Sequence, residues 1–122
     1  DFIKVDESLG LVFGWAIVCK QNGEDYFDVQ DQHIPEHPML EAAADFMLNS
    51  RVGKTMHKGD KTGDVVFAWP MTADIAKAMG IQTEKTGLMI AIKPSPEDLK
   101  KFQDKTFSGF SIGGKLLEFE NV

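Results

Sequence analysis

Cysteine is nearly absent from this chain, since Cys19 is the only one among 122 residues. A disulfide within the chain is therefore excluded. Cys19 directly follows the apolar segment Trp15-Ala-Ile-Val18. This position predicts a buried, inert thiol rather than a reactive one.

Positive charge is also scarce, with 13 Lys and Arg against 19 Asp and Glu and a formal net charge of −6. The basic residues are scattered, and the Lys-rich segment 100–105 is interrupted by Phe102 and Asp104. A nucleic-acid or anionic-membrane surface requires clustered Lys and Arg. We therefore expect neither partner.

Long apolar runs are missing as well. No stretch reaches the roughly 18 residues that a membrane helix needs, and no basic-then-apolar leader is present, so we expect an intracellular protein. The chain begins at Asp1 rather than at methionine, which predicts a processed N-terminus or a piece of a longer chain. The length of 122 residues suits a single domain covering 1–122.

Strand signals recur along the sequence. Residues 11–19 are rich in β-branched and aromatic side chains, and Gln21-Asn-Gly23 is a strong hairpin turn, so we predict strands over 11–20 and 24–29. Further strands are predicted over 52–57, 64–69, 88–92 and 110–119. Pro70 is expected to stop the strand that starts at Asp64.

Three short helices are predicted between these strands. Pro38 suits the first turn of a helix that runs to Leu48, Thr72 is placed to cap a helix that ends at Gly80, and Ser95 opens a helix over 96–103. One face of the first helix is apolar and is expected to pack in the core: Met39, Leu40, Ala43, Phe46 and Met47.

The order of elements lacks the regular alternation of a parallel doubly wound sheet. We therefore predict an α+β fold, with a mostly antiparallel β-barrel or a strongly curved sheet and about three short helices packed around it.

Ser111 is the candidate nucleophile. The segment Gly109-Phe-Ser-Ile-Gly113 fits the letters of a nucleophile elbow, but it opens a strand rather than a helix, which excludes the α/β-hydrolase interpretation. Interior glycines such as Gly113 and Gly114 predict a bulge or a close backbone approach. From spacing alone, Ser111 is either an ordinary strand serine beside a bulge or a nucleophile that needs a base.

His57 is the candidate base, and a solvated histidine at a strand end is the alternative. The metal alternative combines three histidines with an acid: His33, His37 and His57, with Asp31 or Glu36. Because Pro35 and Pro38 disfavour a regular helix there, these histidines need not converge, and we expect no metal and no cofactor. Two interpretations of Asp28 and Asp31 are open. They either form a solvated turn or orient a catalytic imidazole.

Five segments together resemble one family: Phe13-Gly-Trp-Ala16, Asp28-Val-Gln30 leading to Ile34-Pro35, Asn49-Ser-Arg-Val-Gly53, Met56-His57 and Gly109-Phe-Ser-Ile-Gly-Gly114. The chain from about Phe13 to Leu117 resembles the phage prohead serine proteases of the XkdF-like type, which are related to the herpesvirus assemblins. This resemblance implies a mostly antiparallel barrel surrounded by helices. It also implies a serine endopeptidase that acts in the cytoplasm of the bacterial host, inside the immature phage head.

The resemblance assigns Ser111 as nucleophile and His57 as general base, with phage scaffold and major capsid proteins as substrates. The identity of the third catalytic residue is left open, because in such enzymes this residue lies well downstream of the serine and only 11 residues follow Ser111 in this sequence. Glu118 is the first choice, Glu120 and Asp31 are alternatives, and a residue beyond Val122 is another.

A non-catalytic capsid-assembly or scaffold-binding domain with a protease-like fold is the alternative function. Either a monomer or a symmetric homodimer is compatible with the composition.

Overall fold

The computed structural model describes residues 2–28, 30–49, 64–113 and 116–121, which fold as an α+β protein. The strands are β1 (Phe2–Asp6), β2 (Leu11–Gln21), β3 (Glu24–Asp25), β4 (Asp64–Met71), β5 (Lys85–Lys93), β6 (Phe107–Gly113) and β7 (Leu116–Asn121). The helices are α1 (Glu36–Asn49), α2 (Ala73–Met79) and α3 (Pro96–Gln103).

The described strands form two antiparallel sheets. The larger has the order β1-β2-β5-β4, with the short β3 paired to the end of β2, and the smaller is the β6–β7 hairpin. β6 packs against β2, but the two strands share no backbone ladder. The predicted antiparallel α+β class is confirmed, whereas the described strands do not close into a barrel, because the hairpin packs against the larger sheet instead of extending it.

The core lies between one face of the larger sheet, the helices α1 and α3, and the hairpin. The sheet contributes buried aliphatic side chains at Val12, Leu88, Ile90 and Ile92. The helices and the hairpin contribute Met39, Ala43, Phe46, Phe102, Phe107 and Phe110, with Leu40 and Met47 partly buried beside them. The predicted apolar face of α1 is therefore confirmed as core.

Local signals position α2 and α3 as predicted. The Thr72 hydroxyl accepts a hydrogen bond from the Ile75 amide at 3.1 Å, and Gly80 ends α2 with a φ of 71°. The Ser95 hydroxyl likewise accepts from the Asp98 amide at 3.1 Å. Each cap satisfies an amide that the first helical turn leaves without a backbone partner.

Several strand predictions require correction. β1 was not anticipated, β3 ends at Asp25 rather than at residue 29, and β5 begins at Lys85 rather than Leu88. Pro70 does not stop β4, which continues to Met71. β4 is the last strand on its side of the described sheet, and proline is tolerated on an outer strand because its missing N–H need not enter a ladder.

The predicted final strand over 110–119 is wrong, because this region forms the two strands of the β6–β7 hairpin. Gly113, the last residue of β6, pairs with Leu116, the first residue of β7, and glycine is favoured where a hairpin turns. The strand predicted over 52–57 lies outside the described residues.

No helix in the described ranges has the length and apolar character required to cross a membrane.

Candidate functional site

Ser111 lies in the middle of β6, opposite Glu118 of β7. The neighbouring pairs are Gly109 with Glu120 and Gly113 with Leu116. Because alternate residues of a strand share a face, Gly109, Ser111 and Gly113 lie on one face of the hairpin. The positions two residues before and after Ser111 therefore carry no side chain, and Gly109, the first of them, is buried.

A β-bulge at Ser108 sets the orientation of this face. Phe107 pairs with Asn121 and Gly109 pairs with the adjacent Glu120, so Ser108 is an extra residue in β6. A bulge moves the following residues to the other face of the strand. Strict alternation along β6 would place Phe107 and Phe110 on opposite faces, but with the bulge both rings are buried.

Both rings pack on Phe102 of α3. The ring centroids of Phe107 and Phe110 lie 5.1 and 6.2 Å from that of Phe102, each in an edge-to-face arrangement. Phe102 is fully buried, and edge-to-face pairs at these distances add to the energy of burial. The helix α3 thus anchors the strand that carries Ser111.

The connection from α3 to β6 is a tight polar turn. The Asp104 carboxylate accepts hydrogen bonds from the Thr106 hydroxyl at 2.6 Å and from its backbone amide at 2.9 Å. Both bonds lower the pKa of Asp104 because they stabilise its ionised form, and the bond from the hydroxyl has the larger effect. Lys105 adopts a positive φ of 67°, so the turn reverses the chain between α3 and β6.

The predicted third members lie in two different places. Glu118 is opposite Ser111 and Glu120 is opposite Gly109, so both belong to the hairpin that carries the candidate nucleophile. Asp31 is exposed in the loop between β3 and α1, with a φ of 61°. His57 lies outside the described residues.

The loop that contains Asp31 is closed by Asp28. One carboxylate oxygen of Asp28 accepts hydrogen bonds from the amides of Gln30 and Gln32, each at 2.9 Å, and the Asp28 amide donates to the Gln32 carbonyl. This pattern is a side-chain-closed turn. It accounts for Asp28 structurally and agrees with the solvated-turn interpretation of that residue.

The two described histidines have separate local partners. His33 donates from Nδ1 to the Tyr26 carbonyl at 3.0 Å, and its Nε2 lies 3.6 Å from an Asp25 carboxylate oxygen. His37 is exposed in α1, where Nε2 lies 3.9 Å from Glu41. Within the described ranges, no group of three His, Cys, Asp or Glu residues is arranged to hold a metal ion.

Cys19 is buried in β2, as its sequence context predicts. Burial raises the pKa of the thiol to about 11, and the nearby Glu36 carboxylate adds to the effect. Both causes disfavour the thiolate, which is the nucleophilic form. The structure therefore places no reactive thiol at this position.

Sequence reasoning missed the pairing of Ser111 with Glu118, because it treated residues 110–119 as one strand. The signal was present: a Gly-Gly-Lys segment separates two apolar runs, which is typical of a hairpin turn. The chain matches no family model. Searches among curated proteins and among solved structures likewise return no match.

Proposed function

We propose that this protein is a serine endopeptidase of the prohead-protease type, which cleaves scaffold and major capsid proteins during phage head maturation. Ser111 is the nucleophile and His57 the general base. The observation that carries the proposal is the register of the β6–β7 hairpin, which sets Ser111 between two glycine positions and opposite Glu118.

The glycines support a role in peptide cleavage. A scissile peptide must approach the nucleophile closely, and backbone N–H groups must reach the oxygen that becomes negative in the transition state. Gly109 and Gly113, on the Ser111 face, carry no Cβ, so a chain that reached this face would meet no side chain at either position; Gly109 itself is buried. An ordinary strand would carry side chains at both positions.

The finer fold assignment belongs to the same proposal. In the assemblin-like arrangement, a strongly curved antiparallel sheet is surrounded by helices. The packing of β6 against β2 and β1 and of α1 and α3 on the core face supports this arrangement. The open pairing of the described strands leaves the curved sheet, rather than a closed barrel, as the proposed form.

The chemistry follows from these assignments. Ser111 Oγ attacks the scissile carbonyl carbon while His57 takes the hydroxyl proton, and backbone N–H groups stabilise the resulting oxyanion. His57 then delivers the proton to the leaving amine, which releases one product and leaves an acyl group on Ser111. Water, deprotonated by His57, attacks this ester, and the proton returns to Ser111 as the second product leaves.

Glu118 is the proposed third member, which orients the imidazole and stabilises its protonated form. Directly opposite residues in an antiparallel pair share a face, which supports Glu118 over the diagonal Glu120. Asp31 is less favoured, because it lies in a loop with its own turn geometry and outside the hairpin that carries Ser111.

A fluorophosphonate probe tests the nucleophile directly. We expect one covalent adduct on the wild-type protein, located at Ser111 by peptide mass spectrometry and absent from Ser111→Ala. The His57→Ala variant should react at least about 100-fold more slowly, because a positioned general base contributes about 10²–10⁴ in rate. Glu118→Gln should slow the reaction by a smaller factor.

The matched control is Ser108→Ala, which removes a hydroxyl from the same strand and should retain the adduct. A folded wild-type protein that gains no adduct would contradict the proposal, as would an adduct at any other serine. If that unlabelled protein still bound scaffold protein, and His57→Ala bound equally well, the non-catalytic assembly domain would replace the protease.

A further inference from the structure

The larger sheet has a second face, opposite the core, that is apolar across three strands. Two rows of paired residues cross it: Phe13, Ala91 and Phe67 form one row, and Trp15, Met89 and Trp69 form the next. We call these six residues the outer face. They alternate along each strand with the core-facing side chains of the same sheet.

The outer face is accessible. Phe67 is 57% exposed and Trp69 is 47% exposed, and the adjoining Val66 is 40% exposed. A groove of about 350 Å³ lies over the buried Ala91, between the side chains of Phe13, Phe67, Trp69 and Met89, and none of the described residues that line it is charged.

Such a surface is unusual for a sheet face in water. An antiparallel sheet with one solvated face normally shows polar side chains there, whereas this one presents two tryptophans, two phenylalanines and a methionine. Aromatic residues and methionine are enriched, and charged residues depleted, at the centre of protein interfaces. Contiguous apolar surface of this kind marks an interaction site.

We propose that a second copy of this chain packs on the outer face, so that two sheets stack face to face in a symmetric dimer. Two stacked sheets lie about 10 Å apart, and the side chains between them interdigitate. The outer face offers both parts of such a contact, a projection and a recess. The exposed Phe67 and Trp69 side chains project, and the groove over Ala91 can hold a side chain of the other copy. A twofold axis brings each feature to its complement on the other copy.

The exposed area fits a dimer interface. From their exposed fractions, Phe67, Trp69 and Val66 alone offer about 300 Å² per copy toward the 800 Å² that each partner of a standard interface buries, and the half-buried Phe13, Trp15 and Met89 add to this area. The polar rim that surrounds such a centre supplies the remainder. An isolated apolar side chain from an unrelated peptide would cover only part of both rows.

Sedimentation velocity of the full chain, across the micromolar range, tests this dimer. We expect the wild type to change from monomer to dimer as its concentration rises. Both tryptophans of the chain lie on the outer face, so the emission maximum should shift to shorter wavelength over the same range. Phe67→Glu should raise the dissociation constant at least about tenfold, which corresponds to 1.4 kcal/mol, and abolish the shift.

The matched control is Leu48→Glu, because Leu48 is 78% exposed on α1 and the change introduces the same charge away from the outer face. It should leave both readouts unchanged. Circular dichroism should give the same spectrum for both variants, and Phe67→Leu should dimerise if shape and apolarity are what Phe67 contributes.

Two results would overturn the proposal. One is a wild type that stays monomeric throughout, which would leave the outer face to a different partner. The other is a dimer that Phe67→Glu leaves intact.

Discussion

At the scale of single residues, Cys19 illustrates how burial controls chemistry. Its side chain is fully enclosed in β2, and desolvation together with the Glu36 carboxylate raises the thiol pKa from 9.0 to about 11. The folded protein therefore holds the thiol proton at pH values where the unfolded chain releases it. This difference links the stability of the fold to pH.

We predict that this thiol contributes stability that is fully present below pH 9 and is lost as the pH rises from 9 to about 11. The free energy of unfolding should fall by up to roughly 2–3 kcal/mol in this window, since one pKa unit corresponds to about 1.36 kcal/mol. Urea denaturation at a series of pH values measures it. Cys19→Ala keeps the other titrating groups and should show a shallower fall, so equal slopes in the two proteins would refute the assignment.

Ser111 shows the limit of reading single residues. The sequence presents a serine among glycines, and only the pairing of β6 with β7 adds Glu118 as its opposite residue. Because antiparallel register depends on contacts between separate segments, local spacing could not choose among Glu118, Glu120 and Asp31.

At the scale of elements, the contact between β2 and β5 depends on one glycine. Gly87 has a φ of 150°, and a Cβ at this position would collide with the backbone carbonyl of Ile17. The register of the two strands is irregular on both sides of this point. Glycine is thus required by close backbone approach as well as by dihedral angle.

We predict that Gly87→Ala destabilises the fold by at least about 3 kcal/mol, because the central strands must separate or shift to admit the methyl group. Gly23→Ala is the matched comparison, since Gly23 also has a positive φ, of 82°, but a Cβ there meets nothing within 4 Å. It should cost about 1–2 kcal/mol, the strain of the left-handed conformation alone. Chemical denaturation of both variants measures the difference, and equal losses would mean that the Ile17 contact is relieved at little cost.

Elements differ in how far the sequence predicts them. The helices α2 and α3 agree with prediction because capping hydroxyls, an early proline and a terminal glycine all act within one helical turn. β2 is likewise confirmed apart from its last residue. The edge strand β1 and the hairpin were missed, because strand pairing is decided by residues far apart in sequence.

At the scale of the whole molecule, net charge and the outer face act in opposite directions. The chain carries a formal charge of −6, so two copies repel one another at long range. Among the residues that the structure describes, none that lines the groove at the centre of the outer face is charged, so the proposed association depends on apolar burial. Added salt screens the repulsion and leaves that burial in place.

We therefore predict that sodium chloride strengthens the dimer. The Debye length falls from about 10 Å at 0.1 M salt to about 3 Å at 1 M, and the dissociation constant should decrease over this range. Sedimentation velocity at the two salt concentrations provides the measurement. An increase in the dissociation constant would indicate an interface held by ion pairs. The Phe67→Glu variant should remain largely monomeric at 0.1 M sodium chloride.

The sequence by itself determined the α+β composition, the positions of α2 and α3, the apolar face of α1 and the exclusion of an internal disulfide. Each of these depends on residue count or on signals within a few neighbouring residues. Tertiary structure alone decided the raised pKa of Cys19, the placement of Glu118 opposite Ser111 and the exposure of Phe67 and Trp69. These properties depend on which distant segments pack together, since packing determines register, desolvation and the side of a sheet that meets water.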